Sequence, residues 1–177
     1  MAESYINVPE WKTQEKVIKF FKEQLHYDYL GNLCDVANKN IREDDLKAFL
    51  VSKQHYSETV ANKAIAELQH AAGNMQQGVY PANKAVYNLL KYSHPVKDAD
   101  GTIVGVYYID FENPSNNTFA IAEEVTVNTS YGSKRPDLVV YINGIAVAVI
   151  ELKIIRPYCL SIAFNLISLT PWAVVSF

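Results

Sequence analysis

In the first half of the chain, apolar residues return every three or four positions. In the second half they run in short blocks rich in β-branched residues. The first pattern marks amphipathic helices and the second marks strands. A helix is expected over 11–27, with Trp11, Ile18, Phe21 and Leu25 on one face. Lys12, Lys16 and Lys19 lie on another face, and Glu15 sits at the border of the apolar one. Residues 27–40 have no clear period and read as loop. Asn40 followed by Glu43 has the form of a capping box, which would open a second helix reaching Val51. Ser57 has the chemistry of an N-cap for a third helix, with Val60, Ala64, Ile65 and Leu68 apolar. Gly73, Asn74 and Gly78 interrupt the pattern. A fourth helix is expected over 81–92, with Pro81 in its first turn and Val86, Leu89 and Leu90 facing inward.

From His94 the character changes. DADG at 98–101 is a turn signal. Residues 103–111 read as a strand, 113–117 as a loop, and 119–128 as a second strand alternating between two faces. A further loop covers 128–134. Residues 138–142 are apolar without alternation, as suits a strand covered on both faces. Asn143-Gly144 then marks a hairpin turn into another apolar strand. A four-stranded sheet with helices around it follows, an α/β class with a helical first half. No internal repeat or low-complexity segment is present.

The 177 residues suit one domain, and 49% hydrophobic with 20% charged content suits a soluble globular one. Net charge is −3, so the chain's own field is a weak attractant for nucleic acid. Cys34 and Cys159 make no disulfide framework; each is expected buried in a reduced, cytoplasmic setting. The N-terminal residues lack the basic-then-apolar order of a secretion signal. His26, His55, His70 and His94 show no metal-ligand spacing.

The candidate chemistry lies in RPDLVVYINGIAVAVIELK, residues 135–153. Asp137 opens the first strand of the hairpin, and Glu151 and Lys153 close the second, so a turn brings these ends together. Two carboxylates suit a hard divalent cation such as Mg²⁺, and an adjacent amine orients or helps deprotonate water. Period-two alternation puts Glu151 and Lys153 on one face. A strict two-residue turn pairs Asp137 with Ile150 and turns it away from Glu151. A three-residue loop or a single bulge sets Asp137 opposite Glu151. The shifted register is therefore expected. For an arbitrary strand, a terminal Glu and Lys only mark its emergence into solvent.

Asp137 with Glu151-Leu152-Lys153 matches the PD-(D/E)xK nuclease signature. Together with IDFENPSNNTF (109–119), the stretch resembles the N-terminal nuclease domain of the restriction (R) subunit of type I restriction–modification enzymes. The resemblance implies a restriction-endonuclease-like α/β fold over 1–153, helical over 1–95 and sheet over 96–153. It implies a metal-dependent DNA endonuclease in which Asp137, Glu151 and the Leu152 carbonyl hold Mg²⁺ and Lys153 positions water. It adds Glu15, because related nucleases carry a glutamate on the first helix that leans toward the metal. Lys134 and Arg135, with Lys12, Lys16 and Lys19, are the candidate DNA contacts. Implied partners are double-stranded DNA and the modification and specificity subunits. An ATP-driven motor sits on the same polypeptide in the family, and no GxxxxGK[ST] phosphate loop occurs here. Residues 154–177 depart from the family: they contain no glutamine and one charge, Arg156. Relatives carry a Gln-x-x-x-Tyr helix there, so a truncated or frame-shifted continuation packed on the sheet is expected rather than a membrane span. Glu124 is a second departure, since relatives often carry an amide at that position. The alternative function is a nuclease-like module that only docks or binds DNA.

Overall fold

The computed structural model describes residues 10–35, 40–74, 76, 78–129, 132–155 and 159–166. Residues 10, 128, 129, 132, 153–155 and 159–166 are described by backbone alone. Its helices are α1 (Glu10–Glu23), α2 (Glu43–Ala48), α3 (Glu58–Gly73) and α4 (Val79–Lys91). Its strands are β1 (Asp28–Asn32), β2 (His94–Lys97), β3 (Ile103–Val106), β4 (Phe119–Glu123), β5 (Val127–Thr129), β6 (Gly132–Lys134), β7 (Leu138–Ile142), β8 (Ile145–Ile155) and β9 (Cys159–Leu166). The central sheet runs β1-β4-β7-β8-β9, with β1 parallel to β4 and every other pair antiparallel. The expected α/β class, a mixed sheet with helices and a helical first half, is what forms.

Several elements differ from the sequence reading. The fourth strand beside β4, β7 and β8 is β1, inside the segment read as loop. Residues 103–111 do not join the sheet: β3 pairs with β2 as a separate hairpin, and the chain turns away after Val106. Tyr108, fully buried beyond it, donates its hydroxyl to the Ala64 carbonyl at 2.7 Å. The strand expected over 119–128 breaks at Glu124, whose φ is +53°. Helix α1 ends at Glu23 rather than 27, and His26 reverses the chain at φ +56°. Trp11 and Leu25 are exposed, while Val17, Ile18 and Phe21 pack inward. Arg42, not Asn40, precedes α2, and no side chain caps it. The helix continues through a wider turn at Phe49–Lys53. Ser57 does cap α3, accepting from the Val60 N–H at 3.1 Å. Residues 159–166, read as part of an apolar tail, lie along β8 as an edge strand. Among the described residues no helix is long and apolar enough to cross a membrane.

The two sheet faces are covered differently. Leu138, Val140, Ile150 and Leu152 meet Val17, Ile18 and Phe21 of α1. Val139, Tyr141, Ala146 and Val149 meet Val125, Val127, Leu30 and Leu33 on the other face. The helical half, α2 to α4, forms its own core around Leu46, Phe49, Leu50 and Leu68. Ile145 at the hairpin tip reaches into that core.

That tip joins the two halves. Asn143 and Gly144 both have positive φ, +51° and +78°, the two-residue turn whose twist suits a hairpin. Asn143 is fully buried and satisfied. Its Oδ1 accepts the Thr118 N–H at 2.8 Å, and its Nδ2 donates to the Tyr108 carbonyl at 3.0 Å and to Asn117 Oδ1 at 2.8 Å. The Arg42 N–H donates to the Gly144 carbonyl at 2.8 Å. A Cβ at position 144 would meet the Arg42 carbonyl oxygen at 2.7 Å and the Leu46 nitrogen at 3.0 Å, both backbone. Gly144→Ala is therefore expected to destabilise the chain by about 2 kcal/mol or more, since clash and positive φ combine. Urea unfolding followed by circular dichroism measures this; a loss below about 0.5 kcal/mol, the range of neutral surface changes, would contradict it.

Candidate active site at the open end of the hairpin

Both expected devices of the hairpin, the turn and the bulge, are present together. Ile142 pairs with Ile145 and Tyr141 with Ala146, the strict two-residue register. Beyond them the register shifts by one: Val140 pairs with Ala148, Val139 with Val149 and Leu138 with Ile150. Val147 is the extra residue of a β-bulge. One further step sets Asp137 opposite Glu151, the shifted register expected from the sequence. Val139 and Val149, their neighbours two residues in, share one apolar cluster, so the two acids project on that same face.

The ladder pattern sharpens this. The Glu124 N–H donates to the Asp137 carbonyl at 3.0 Å, so the main-chain groups of Asp137 face β4. On the β8 side, Asp137 and Glu151 are then a non-hydrogen-bonded pair, the kind whose side chains approach most closely. The next pair would join residues 136 and 152 through main-chain hydrogen bonds. Pro136 has no N–H to give the Leu152 carbonyl. The Leu152 N–H donates instead to Asp137 Oδ2 at 2.6 Å. N–H and C=O of one strand residue point the same way, so the Leu152 carbonyl also faces the Asp137 end of β7. The ladder thus stops where carboxylate and carbonyl oxygens gather.

The other expected residues are distributed around this point. Glu15 is exposed on α1, which packs on the opposite sheet face. It lines a cleft of about 780 Å³ with Trp11, Gln14, Glu123, Glu124 and Arg135. Asp137 and Glu151 are not among the residues lining that cleft. Lys12, Lys16 and Lys19 are exposed on α1. Lys19 lies 3.9 Å from Glu23, and Lys12 sits over the Trp11 ring at 5.4 Å. Lys134 is exposed, and Arg135 Nε donates to Glu124 Oε2 at 2.8 Å. The backbone of Lys153 pairs with Ser161; its side chain lies outside the described residues. Among the described residues no three His, Cys, Asp or Glu side chains gather as a metal cluster.

The family model described as type I restriction enzyme R protein N terminus matches residues 9–165. The chain belongs to this family. A protein of Methanocaldococcus jannaschii, provisionally described as a type I restriction enzyme MjaIXP endonuclease subunit, is 47% identical over 51 residues. That match takes in 27% of this chain and 5% of the relative's length. The matched stretch is thus a small part of that longer protein.

Sequence reasoning missed the polar lining on the α1 side of this domain. Glu123 ends β4 with its carboxylate held from two elements: Gln14 Nε2 donates at 2.9 Å and the Tyr29 hydroxyl at 2.6 Å. A glutamate inside an otherwise apolar strand was the available signal, but its partners come from α1 and the unforeseen β1. Burial pushes the Tyr29 phenol up to about 12, and the Glu123 hydrogen bond and charge push the same way. A raised folded pKa means stability is fully present below the unfolded value of 10 and is lost as pH rises toward about 12. Tyr29→Phe is expected to flatten that alkaline loss and remove one late-titrating phenol from the ultraviolet titration. An unchanged number of late-titrating phenols would contradict it.

Proposed function

We propose that this domain is a nuclease module that hydrolyses DNA phosphodiesters with Mg²⁺ held by Asp137, Glu151 and the Leu152 carbonyl. The observation that supports it most is the bulge at Val147, which turns Asp137 to the face of Glu151. The donors are hard oxygens, and Mg²⁺ ordinarily takes one or two carboxylates and leaves its other positions to water and phosphate. A third acidic ligand is not needed. In this reading Glu15 belongs to the cleft wall beside the strand path rather than to the donor set. Bound there, Mg²⁺ would lower the pKa of water and polarise a phosphoryl oxygen.

The protein groups then have separate tasks. The Leu152 N–H holds one Asp137 oxygen in place, so that carboxylate is oriented before substrate arrives. Lys153 would orient the attacking water and offset negative charge developing at phosphorus. Lys134, Arg135 and the α1 lysines would meet phosphates. With net charge −3, most DNA affinity would come from the motor on the same polypeptide and from the modification and specificity subunits. ATP would act only through that motor, and the assembled enzyme would work in the cytoplasm.

The test is nicking of supercoiled plasmid by the 177-residue chain with Mg²⁺ or Mn²⁺. Asp137→Asn and Lys153→Ala are expected to lower the rate about 100-fold or more, with unfolding temperatures close to wild type. Calorimetry is expected to show Mn²⁺ binding that Asp137→Asn abolishes. Absence of metal binding, with DNA or partner binding untouched by Asp137→Asn, would replace the nuclease reading with a docking module.

A further inference from the structure

Glu124 has an unusual backbone for its residue type. Its φ of +53° lies in the left-handed region, which a glutamate rarely enters. Glu123 pairs with Leu138, so Glu124 is the next residue on β4's path and stands opposite Asp137. Extended backbone at 124 would send its side chain to the face carrying Asp137 and Glu151, adding a third carboxylate beside the pair. The left-handed turn prevents this. It keeps the Glu124 N–H on the Asp137 carbonyl at 3.0 Å and sends the carboxylate to Arg135 Nε at 2.8 Å. Glu124 therefore grips the segment Arg135-Pro136-Asp137 on both sides of a buried proline.

That segment needs a hold. Pro136 cannot donate to the ladder, and β7 begins only at Leu138. Besides the carboxylate contact to Leu152, two contacts with Glu124 fix this segment, one at the Asp137 carbonyl and one at the Arg135 guanidinium.

We propose that Glu124 is a positioning residue for Asp137: its main chain and its ion pair to Arg135 together hold the Asp137 carboxylate on the Leu152 N–H. The inference deepens the nuclease reading, which supplies a task for Asp137, but its structural part stands without that reading. Holding a reacting group in place is worth large rate factors, since small displacements weaken catalysis steeply. The same ion pair keeps the Arg135 guanidinium beside the cleft.

Amide hydrogen exchange of the full chain tests the hold directly, because the Leu152 N–H reports the Asp137 carboxylate. Glu124→Ala is expected to lower protection at Leu152 about tenfold, the equivalent of one net hydrogen bond. Mid-ladder amides at Ala122 and Val139 are expected to stay unchanged. Arg135→Ala, which removes the same ion pair from its more exposed side, is expected to do likewise and serves if Glu124→Ala does not fold. Glu124→Gln, which can still accept from Arg135, is expected to restore most of the protection. In plasmid nicking, Glu124→Ala is expected to lower kcat about 10- to 100-fold with little change in KM. Unchanged Leu152 protection in both alanine variants would overturn the proposal. So would a loss shared equally by Ala122 and Val139, which would mark a role in general stability. A wild-type chain that does not nick DNA would overturn the nuclease reading, while the exchange result would still decide the role of Glu124.

Discussion

The β7–β8 hairpin is held at its tip by a buried amide, and that contact sets the geometry of everything at its other end. Asn143, fully buried, satisfies its side-chain carbonyl and amide against Thr118, Tyr108 and Asn117 in the segment between β3 and β4. An unsatisfied group there would cost about 1–3 kcal/mol, so the tip cannot slide without large loss. Gly144 permits the turn and leaves room for the main chain entering α2. With the tip immobile, the register of the open end depends on what happens between. One bulged residue, Val147, shifts every later pair by one position and turns Asp137 to the face of Glu151.

The open end has a logic of its own. A β-ladder normally consumes its main-chain polar groups, which leaves little for a ligand. Here Pro136 withholds a donor, Asp137 takes the Leu152 N–H through its side chain, and the Leu152 carbonyl faces the same opening. Acid and carbonyl oxygens gather where the hydrogen-bond pattern is made to stop. The segment carrying Asp137 is in turn gripped by Glu124, on a strand that ends by a left-handed turn rather than by continuing.

The strands that failed to match their expected places show what β-propensity leaves out. Residues 103–106 are as β-branched as any in the chain, yet among the described residues they pair only with 94–97. Pattern marks a strand but not its partner. Conversely, Asp28–Asn32 contains a glycine and two polar residues and lacks a strand signature. It forms an edge because β4 offers it a parallel partner and Glu123 takes the Tyr29 hydroxyl.

What the sequence determined by itself was local. Helical spacing located α1, α3 and α4, Ser57 marked the start of α3, and Asn143-Gly144 marked the hairpin. The acids at the hairpin's open end were legible because a turn must bring strand ends together. Their shared face was reachable by counting, as the alternative to a strict register. Only the tertiary structure decided which alternative holds, and it chose a bulge rather than a longer loop. It alone placed Glu15 in a cleft on the α1 side of the sheet, away from the face of the acid pair, and gave Glu124 and Arg135 to each other. The reason is physical: spacing and propensity act within a few residues, whereas register, strand partners and the satisfaction of buried polar groups are settled between segments far apart in the chain.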